Sequence, residues 1–268
     1  NLVFVDNTSS EDVVAEYPLL FNNNISIVTC NKKGNSSYYE QYSKFKRLAK
    51  KNNVSFLYET NVGAGLPIIK TLNDLWISGD EILKIEAILS GTISYIFNNY
   101  VGDKTFAEVV RTAQELGYTE PDPRDDLNGM DFSRKMLILG REIGLPLEMS
   151  NVNIKDFLPE ACLKAESIPA FYEELEKHEP YFSSFKNEAE NSGRKLRLIG
   201  VLEDGKINIE VQIVDANHPF FGLSGSDNII SFTTSRYKNT PLVVKGPGAG
   251  AEVTAAGVFA DLVRVTAQ

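Results

Sequence analysis

The chain is poor in the residues that build disulfide scaffolds and histidine-based metal sites. Among its 268 residues, two are cysteine (Cys30 and Cys162) and two are histidine (His178 and His218). Two cysteines without metal-ligand spacing exclude a disulfide framework, so we expect free thiols and a cytoplasmic location. The histidines lie far apart in the sequence and give little support to a metal pair or a catalytic triad.

Positive charge and long apolar runs are also scarce. Lys and Arg total 27 against 36 Asp and Glu, and the formal charge of −9 argues against nucleic acid as a partner. No apolar run approaches the ~18 residues of a membrane helix, and no basic stretch leads into an apolar one at the N-terminus. With 43% hydrophobic residues, the chain is instead typical of a globular protein with one or two domains.

The first 60 residues alternate between strand and helix patterns. Apolar runs at 2–5, 25–28 and 54–57 predict strands, and the segments 10–22 and 36–52 predict helices. This order predicts βαβ units with a parallel sheet, in which ligands lie at the carboxyl ends of the strands. Short polar segments at 6–9, 29–32 and 59–62 follow the three strands, so we expect a ligand site along that edge.

The chain starts directly in its first strand pattern, without an initiator methionine. A start within a sheet leaves a strand edge exposed or requires another chain to cover it. We therefore interpret the sequence as a truncated or excised part of a longer protein.

From about residue 67 the pattern changes. Pro67 is expected in the first turn of a helix that ends near residue 78. A strand at 81–89, helices at 92–100, 105–116 and 128–143, and a mixed helical region at 150–192 follow. Strands then recur at 195–203, 206–214, 228–235 and 241–245, before a last apolar helix at 255–267. Segregated helices and strands predict an α+β domain beside the first α/β unit.

The strongest candidate cluster lies in the segment 117–135. Asp131 and Lys135 are four residues apart and share one face of a predicted helix, which Asp126 or Asn128 could cap. If Glu120 joins them, two carboxylates and one ammonium suit a substrate with an amino group, and the lysine can donate a proton.

Two other interpretations apply to the same segment. A stiff loop held extended by Pro121 and Pro123 can simply be solvated, and an exposed ion pair contributes little. A calcium loop fails on register, because Arg124 and Ser133 occupy ligand positions.

Three further turns could contribute to a site. Gly63 and Gly65 let the segment 59–67 expose carbonyls to a cation or a cofactor, or simply make a sharp turn. Lys32 follows a strand end, where a substrate would bind, although its segment also reads as a plain polar turn. The run 246–250 opens a helix with an anion-friendly N-terminus, but it lacks the strand and acidic residue that follow a dinucleotide fingerprint.

Six segments together resemble the homoserine dehydrogenase family, in the family's order: 6–9, 31–33, 59–69, 90–98, 117–135 and 246–257. The resemblance implies NAD(P)H-dependent interconversion of L-aspartate 4-semialdehyde and L-homoserine, on the route to threonine and methionine. It also implies the architecture. Residues 1–66 and 246–268 would form a truncated, discontinuous Rossmann-like nucleotide-binding domain, and residues 67–245 an α+β catalytic and dimerisation domain.

The same resemblance assigns roles to single residues. Lys135 resembles the proton donor and Lys32 the second active-site lysine. The substrate-binding positions are Gly117, Glu120 and Asp131; the positions that contact NADP or NAD are Thr8, Lys32 and Gly250; and those that bind a monovalent cation, taken as Na⁺, are Glu59, Val62, Ala64 and Leu66.

The resemblance also implies that the family has segments N-terminal to the first residue of this sequence. In the family, the first strand, the phosphate-binding loop and the residue that selects NAD or NADP precede the first residue seen here, and some members are fused behind an aspartate kinase. The alternative is therefore a catalytically inactive fragment that retains the amino-acid-binding and oligomerisation core. Among partners, we expect a homodimer or higher homo-oligomer that shares the sheet of strands after residue 80 and near 195–245, and no membrane or nucleic acid.

Overall fold

A computed structural model describes residues 2–155 and 157–267. Its first unit is a three-stranded parallel sheet of β1 (Leu2–Asp6), β2 (Ile25–Thr29) and β3 (Phe56–Leu57), in that order. Asp6 lies opposite Thr29, so the carboxyl ends of β1 and β2 coincide. The predicted parallel sheet is confirmed.

The helix predicted at 10–22 is two shorter helices, α1 (Glu11–Ala15) and α2 (Tyr17–Asn22). A further short helix, α3 (Lys32–Asn35), precedes α4 (Tyr39–Lys51), which confirms the helix predicted at 36–52 as one helix. The break between α1 and α2 precedes Pro18, which lacks an N–H and can occupy only the first turn of a helix. The break between α3 and α4 falls where Tyr38 is extended, with ψ of 141°.

The parallel sheet is covered on both faces. On one side the rings of Tyr17, Phe21, Phe45 and Phe56 are buried together, with centroids 5.4–6.3 Å apart. On the other side, the last helix, Ala251–Thr266, packs Val258 and Val265 near Val28 in a separate apolar cluster. The end of the chain therefore returns to its first unit.

The second unit is a six-stranded mixed sheet in the order β5-β7-β6-β4-β8-β9. All its pairs are antiparallel except β5 with β7. The strands are β4 (Ile82–Ile88), β5 (Val152–Ile154), β6 (Lys195–Glu203), β7 (Lys206–Val214), β8 (Asp227–Thr234) and β9 (Leu242–Pro247). Strand β5 was not predicted, because three residues are too few to show an alternating pattern.

The helices that accompany this sheet are α5 (Ile69–Ile77), α6 (Gly91–Asn99), α7 (Phe106–Glu115), α8 (Pro123–Leu127), α9 (Met130–Glu142), α10 (Glu160–Leu163), α11 (Ile168–Lys177) and α12 (Glu179–Asn191), followed by α13 (Ala251–Thr266). Short 3₁₀ turns occupy Glu59–Asn61 and Met149–Asn151. Helix α9 crosses β6 closely, since a Cβ on Gly200 would lie 2.9 Å from the sulfur of Met136. This contact fixes α9 on the sheet.

Three local predictions were wrong. Pro67 lies before α5 rather than in its first turn. Pro123 does not hold a loop extended but starts α8, where Asp122 accepts the N–H of Arg124 at 3.0 Å. The N-cap of α9 is Gly129, with φ of +71°, and not Asp126 or Asn128, although the side chain of Asn128 does accept the N–H of Met130, the first residue of the helix, at 2.8 Å.

Two other expectations concern the whole chain. Cys30 and Cys162 are free thiols, as predicted. Within residues 2–155 and 157–267, no helix has the length and apolar character required to cross a membrane.

Candidate active site

Lys32, Asp131 and Lys135 form one charged cluster where α3 meets α9. The Nζ of Lys135 lies 2.7 Å from Oδ2 of Asp131, and the Nζ of Lys32 lies 3.3 Å from Oδ1. Helical spacing brings Lys135 to Asp131. Lys32 comes from the other unit, where Asn31 caps α3 by accepting the N–H of Lys33 at 3.0 Å. Two ammonium groups therefore share one carboxylate.

The two α9 residues differ in their surroundings. The side chain of Lys135 is 12% exposed and its ammonium donates to the carbonyl of Leu89 at 2.7 Å. Burial lowers the pKa of Lys135, Asp131 raises it and Lys32 lowers it again, so that the net pKa is below the ordinary value. A buried ammonium with a depressed pKa is suited to release a proton.

Asp131 stays charged although it is partly enclosed. Burial raises its pKa, but the ammonium groups of Lys135 and Lys32 outweigh this effect and lower the pKa to about 2. Its side chain is 48% exposed. Since a carboxylate offers roughly four acceptor sites, the two lysine contacts leave room for a further N–H donor.

Asp126 connects this cluster to the loop before it. Its Oδ2 accepts the N–H of Glu120 at 2.7 Å, and its Oδ1 lies 3.0 Å from the hydroxyl of Thr92, which donates to the carbonyl of Tyr118 at 2.6 Å. Burial raises the pKa of Asp126, and the charge of Asp131 adds to this. In the sequence, Asp126 appeared only as a possible helix cap.

Gly117 and Glu120 lie in the loop that Asp126 holds. Gly117 ends α7 in a left-handed conformation, with φ of +74°, which favours glycine. The backbone N–H of Glu120 is bonded to Asp126, and its side chain is exposed. The structure thus brings Lys32, Asp131 and Lys135 into contact, whereas Glu120 is joined to Asp126 and not to these three side chains.

Thr8 lies at the carboxyl end of β1 and is held by Asp6. The carboxylate of Asp6 accepts four hydrogen bonds: from Thr8 N at 2.8 Å, Thr8 Oγ1 at 2.7 Å, Tyr17 Oη at 2.6 Å and Asn31 Nδ2 at 3.0 Å. Although burial raises the pKa of Asp6, these donors lower it overall. Asp6 therefore fixes Thr8 and Asn31, the residue before Lys32.

Gly250 begins α13 and is exposed, with φ of +124°. Helix α13 lies against the loop 59–66, since a Cβ on Gly65 would be 2.4 Å from the carbonyl oxygen of Val253. Only glycine permits such a close backbone approach at Gly65. Of the three expected cofactor positions, Thr8 thus follows β1, Lys32 begins α3 and Gly250 directly precedes α13.

The expected cation positions lie in the loop 59–66. The carboxylate of Glu59 already accepts the N–H groups of Ile69 at 2.7 Å and Lys70 at 2.9 Å. The carbonyl of Leu66 accepts the N–H of Ile68 at 2.9 Å. Within the described residues there is no group of three or more His, Cys, Asp or Glu side chains that could hold a metal ion. A cation here would depend on backbone carbonyls.

A cleft of about 650 Å³ is lined in part by chain neighbours of the cluster residues. Met130 and Arg134, which flank Asp131 on α9, line one side, and Lys33 lines the other. Lys32, Asp131 and Lys135 are not among the residues that line this cleft.

Comparison with known proteins identifies the family. Residues 67–263 match the family model for homoserine dehydrogenase. The homoserine dehydrogenase of Schizosaccharomyces pombe is 44% identical over 99% of this chain and 73% of its own length. A bifunctional aspartokinase/homoserine dehydrogenase of Arabidopsis thaliana is 47% identical over 99% of this chain, which spans 29% of the length of that relative.

Solved structures agree with this match. A Candida auris protein of unknown function has a TM-score of 0.95 and 40% identity, and the match covers 99% of this chain and 76% of that one. A hyperthermophilic archaeal homoserine dehydrogenase in complex with NADPH has a TM-score of 0.76 and 26% identity over 98% of this chain and 71% of its own. The chain belongs to the homoserine dehydrogenase family.

Proposed function

We propose that this protein interconverts L-aspartate 4-semialdehyde and L-homoserine with NAD(P)H, a step toward threonine and methionine. The observation that carries the proposal is the position of Asp131 between Lys32 and Lys135, at 3.3 and 2.7 Å. An ionised carboxylate can hold the amino group of the substrate while a buried ammonium acts on its aldehyde oxygen.

The substrate is proposed to bind with its amino acid end at the rim of the cluster. Asp131 supplies free acceptor sites, and the exposed carboxylate of Glu120 supplies a second anion. Gly117 contributes backbone to the same loop, which Asp126 holds in place. An amino-aldehyde with a positive charge fits these two carboxylates better than a simple aldehyde.

Lys135 is proposed to donate the proton to the nascent alkoxide. Its depressed pKa makes proton release easier, and the Leu89 carbonyl at 2.7 Å fixes the direction of the ammonium. Lys32, whose side chain is more exposed than that of Lys135, would stabilise negative charge that develops on the oxygen.

A nicotinamide cofactor supplies the hydride when bound. Thr8 at the end of β1, Lys32 and Gly250 at the N-terminus of α13 are the proposed contacts. Exposed backbone N–H groups at the start of a long helix favour an anionic group, and one structural relative is known with NADPH. Preference between NADP and NAD is left to experiment.

Four further parts of the proposal rest on family resemblance. The carbonyls of Glu59, Val62, Ala64 and Leu66 would hold a monovalent cation such as Na⁺. Residues 1–66 and 246–268 would form the nucleotide-binding part and residues 67–245 the catalytic and dimerisation part. The protein would be a homodimer or higher oligomer, located in the cytoplasm.

The direct test is an NADPH oxidation assay with two aldehydes. L-Aspartate 4-semialdehyde should be reduced, and succinic semialdehyde, which lacks the amino group, should be reduced at least about 100-fold less efficiently, because the carboxylate clamp has nothing to hold. Equal rates with both aldehydes, or no oxidation with either, would refute the proposal.

A further inference from the structure

Helix α9 carries charged residues at both of its ends. Asp131 and Lys135 lie near its start, and Arg141 and Glu142 lie in its last turn. The side chain of Arg141 is 0% exposed and that of Glu142 is 1% exposed. Burying a charge is unfavourable unless its donors or acceptors are bonded. The hydrogen-bond partners of Arg141 and of Glu142 therefore indicate the structural role of each residue.

The guanidinium of Arg141 joins two parts of the chain through backbone carbonyls. Its Nε and Nη2 donate to the carbonyl of Leu147 at 3.0 and 2.8 Å, and its Nη1 donates to the carbonyl of Asn35 at 2.8 Å. Glu148 supplies a counter-charge at 3.2 Å. Asn35 is the last residue of α3, the short helix that begins with Lys32.

The same end of α3 is bound to the parallel sheet. Asn35 Nδ2 donates to Asn61 Oδ1 at 2.8 Å, and Asn61 Nδ2 donates to the carbonyl of Thr29 at 3.1 Å. Asn35, Asn61 and Thr29 are all fully buried. Helix α3 therefore has a fixed place between β2 and α9.

Glu142 adds further contacts at this buried end. Its carboxylate accepts hydrogen bonds from Tyr42 of α4 at 3.1 Å and Asn73 of α5 at 2.9 Å, and another from Tyr58. The last turn of α9 is thus bonded to several elements, whereas the ion pair between its first turn and α3, Lys32 with Asp131, is partly exposed. Asn31 holds the start of α3 to Asp6, and Asn35 holds its end. Because an exposed ion pair is weak, it cannot by itself hold α3 at the distance observed.

We propose that Arg141 is a positioning residue: by holding the carbonyl of Asn35 it fixes α3 against α9 and so places the ammonium of Lys32 beside Asp131 and Lys135. Its relevance to catalysis rests on the proposed function. The placement of Lys32 does not depend on the proposed function, and it can be measured without turnover.

The first test is the pKa of the Asp131 carboxyl, measured by ¹³C NMR titration and assigned with Asp131→Asn. Lys32 helps to lower this pKa. Arg141→Met should therefore raise it in the same direction as Lys32→Met does, by a smaller amount, because the ammonium of Lys32 moves while Asn31 stays bonded to Asp6. The matched control is Arg197→Met, since Arg197 is also buried and donates to the carbonyls of Phe220, Phe221 and Leu223 rather than to a carbonyl of α3; it should leave the pKa unchanged.

Arg141→Lys provides a second variant if Arg141→Met does not fold. A lysine can reach one of the two carbonyls but lacks the planar fork that serves both, so the pKa of Asp131 should rise part of the way. An unchanged Asp131 pKa in either folded variant would overturn the proposal.

The second test is a double-mutant cycle on the reduction of the semialdehyde. Lys32→Met and Arg141→Met should each lower kcat/KM by about tenfold to 100-fold, as small displacements in active sites do. If Arg141 acts through Lys32, the double variant should be no worse than Lys32→Met alone. Multiplicative losses would refute the placement role. If the wild-type protein reduces no semialdehyde, the proposed function fails, but the NMR result still decides the placement.

Discussion

Asp6 and Asp131 are two carboxylates whose pKa values are lowered for different reasons. Asp6 is 1% exposed and accepts four hydrogen bonds from neutral groups. Asp131 is half exposed and lies between two ammonium groups. With all of its roughly four acceptor sites used, Asp6 can only anchor the structure, whereas Asp131 retains sites for a ligand.

The two carboxylates therefore have different roles: one supports the fold and the other is available to a substrate. Asp6 fixes the residues at the ends of β1 and β2, and through Asn31 it fixes the start of α3. Asp131 holds the charge to which a substrate would bind. Loss of the first carboxylate should therefore affect stability more than turnover, and loss of the second should do the reverse.

Among changes to the carboxylates, the largest effect is expected for Asp131→Asn. Without its charge, the two lysines lose their shared partner and the substrate loses its anion, so kcat/KM for the semialdehyde should fall about 100-fold to 1000-fold. Circular dichroism should show an intact fold, because the side chain is half exposed. Asp125→Asn, an exposed change on α8, is the control. A loss of less than about fivefold would show that Asp131 is not the anchor.

Asp6→Asn should have the next largest effect, on stability. The amide cannot accept all four hydrogen bonds, and a buried donor left unpaired costs about 1–3 kcal/mol. We expect urea denaturation to give a loss of about 2 kcal/mol in the free energy of unfolding. The control Asp74→Asn, exposed on α5, should change it by less than about 0.5 kcal/mol. Equal values for the two variants would mean that the Asp6 network does not support the fold.

Glu120→Gln should have a smaller effect, confined to substrate affinity. Its side chain is exposed, so unfolding should be unchanged. Removing one of two anions that face an amino group should raise KM for the semialdehyde by about tenfold, with a smaller change in kcat. Steady-state kinetics at saturating NADPH measures both values. An unchanged KM would exclude Glu120 from the binding site.

The smallest effect concerns stability in acid. The folded pKa of Asp131 is lowered from 3.8 to about 2. A carboxylate with a depressed folded pKa adds stability above its unfolded pKa and loses it as the pH falls through the folded pKa. The stability of the wild-type protein should therefore fall between about pH 4 and pH 2 slightly more steeply than that of Asp131→Asn, as thermal unfolding at several pH values can show. Identical slopes would indicate that Asp131 is not paired in solution.

Much of the site was predictable because it depends on local spacing. The i,i+4 relation of Asp131 and Lys135 requires only a helix, and the alternating pattern of residues 2–57 is enough to place Lys32 at a strand end. The parallel sheet follows from the same pattern. These features are encoded over a few residues, so the sequence shows them directly.

The contacts that join distant segments were not predictable. The hydrogen bond from Arg141 to Asn35 crosses 106 positions and ends on a backbone carbonyl, which has no sequence signature. Asp126 accepts a hydrogen bond from Thr92, 34 positions away in the sequence, and neither residue type predicts a contact with the other. Such contacts depend on how α9 packs on both units, and spacing rules do not carry that information.

The proposed protonation of the aldehyde oxygen by the ammonium of Lys135 can be examined by substitution and chemical rescue. Lys135→Ala should reduce kcat for semialdehyde reduction by about 100-fold to 10,000-fold, the usual contribution of a general acid, and added methylammonium should restore part of the rate in a saturable way. Lys33→Ala, on the adjacent ion pair with Glu11, should keep near-normal turnover without added amine. Near-normal turnover by folded Lys135→Ala would contradict the account.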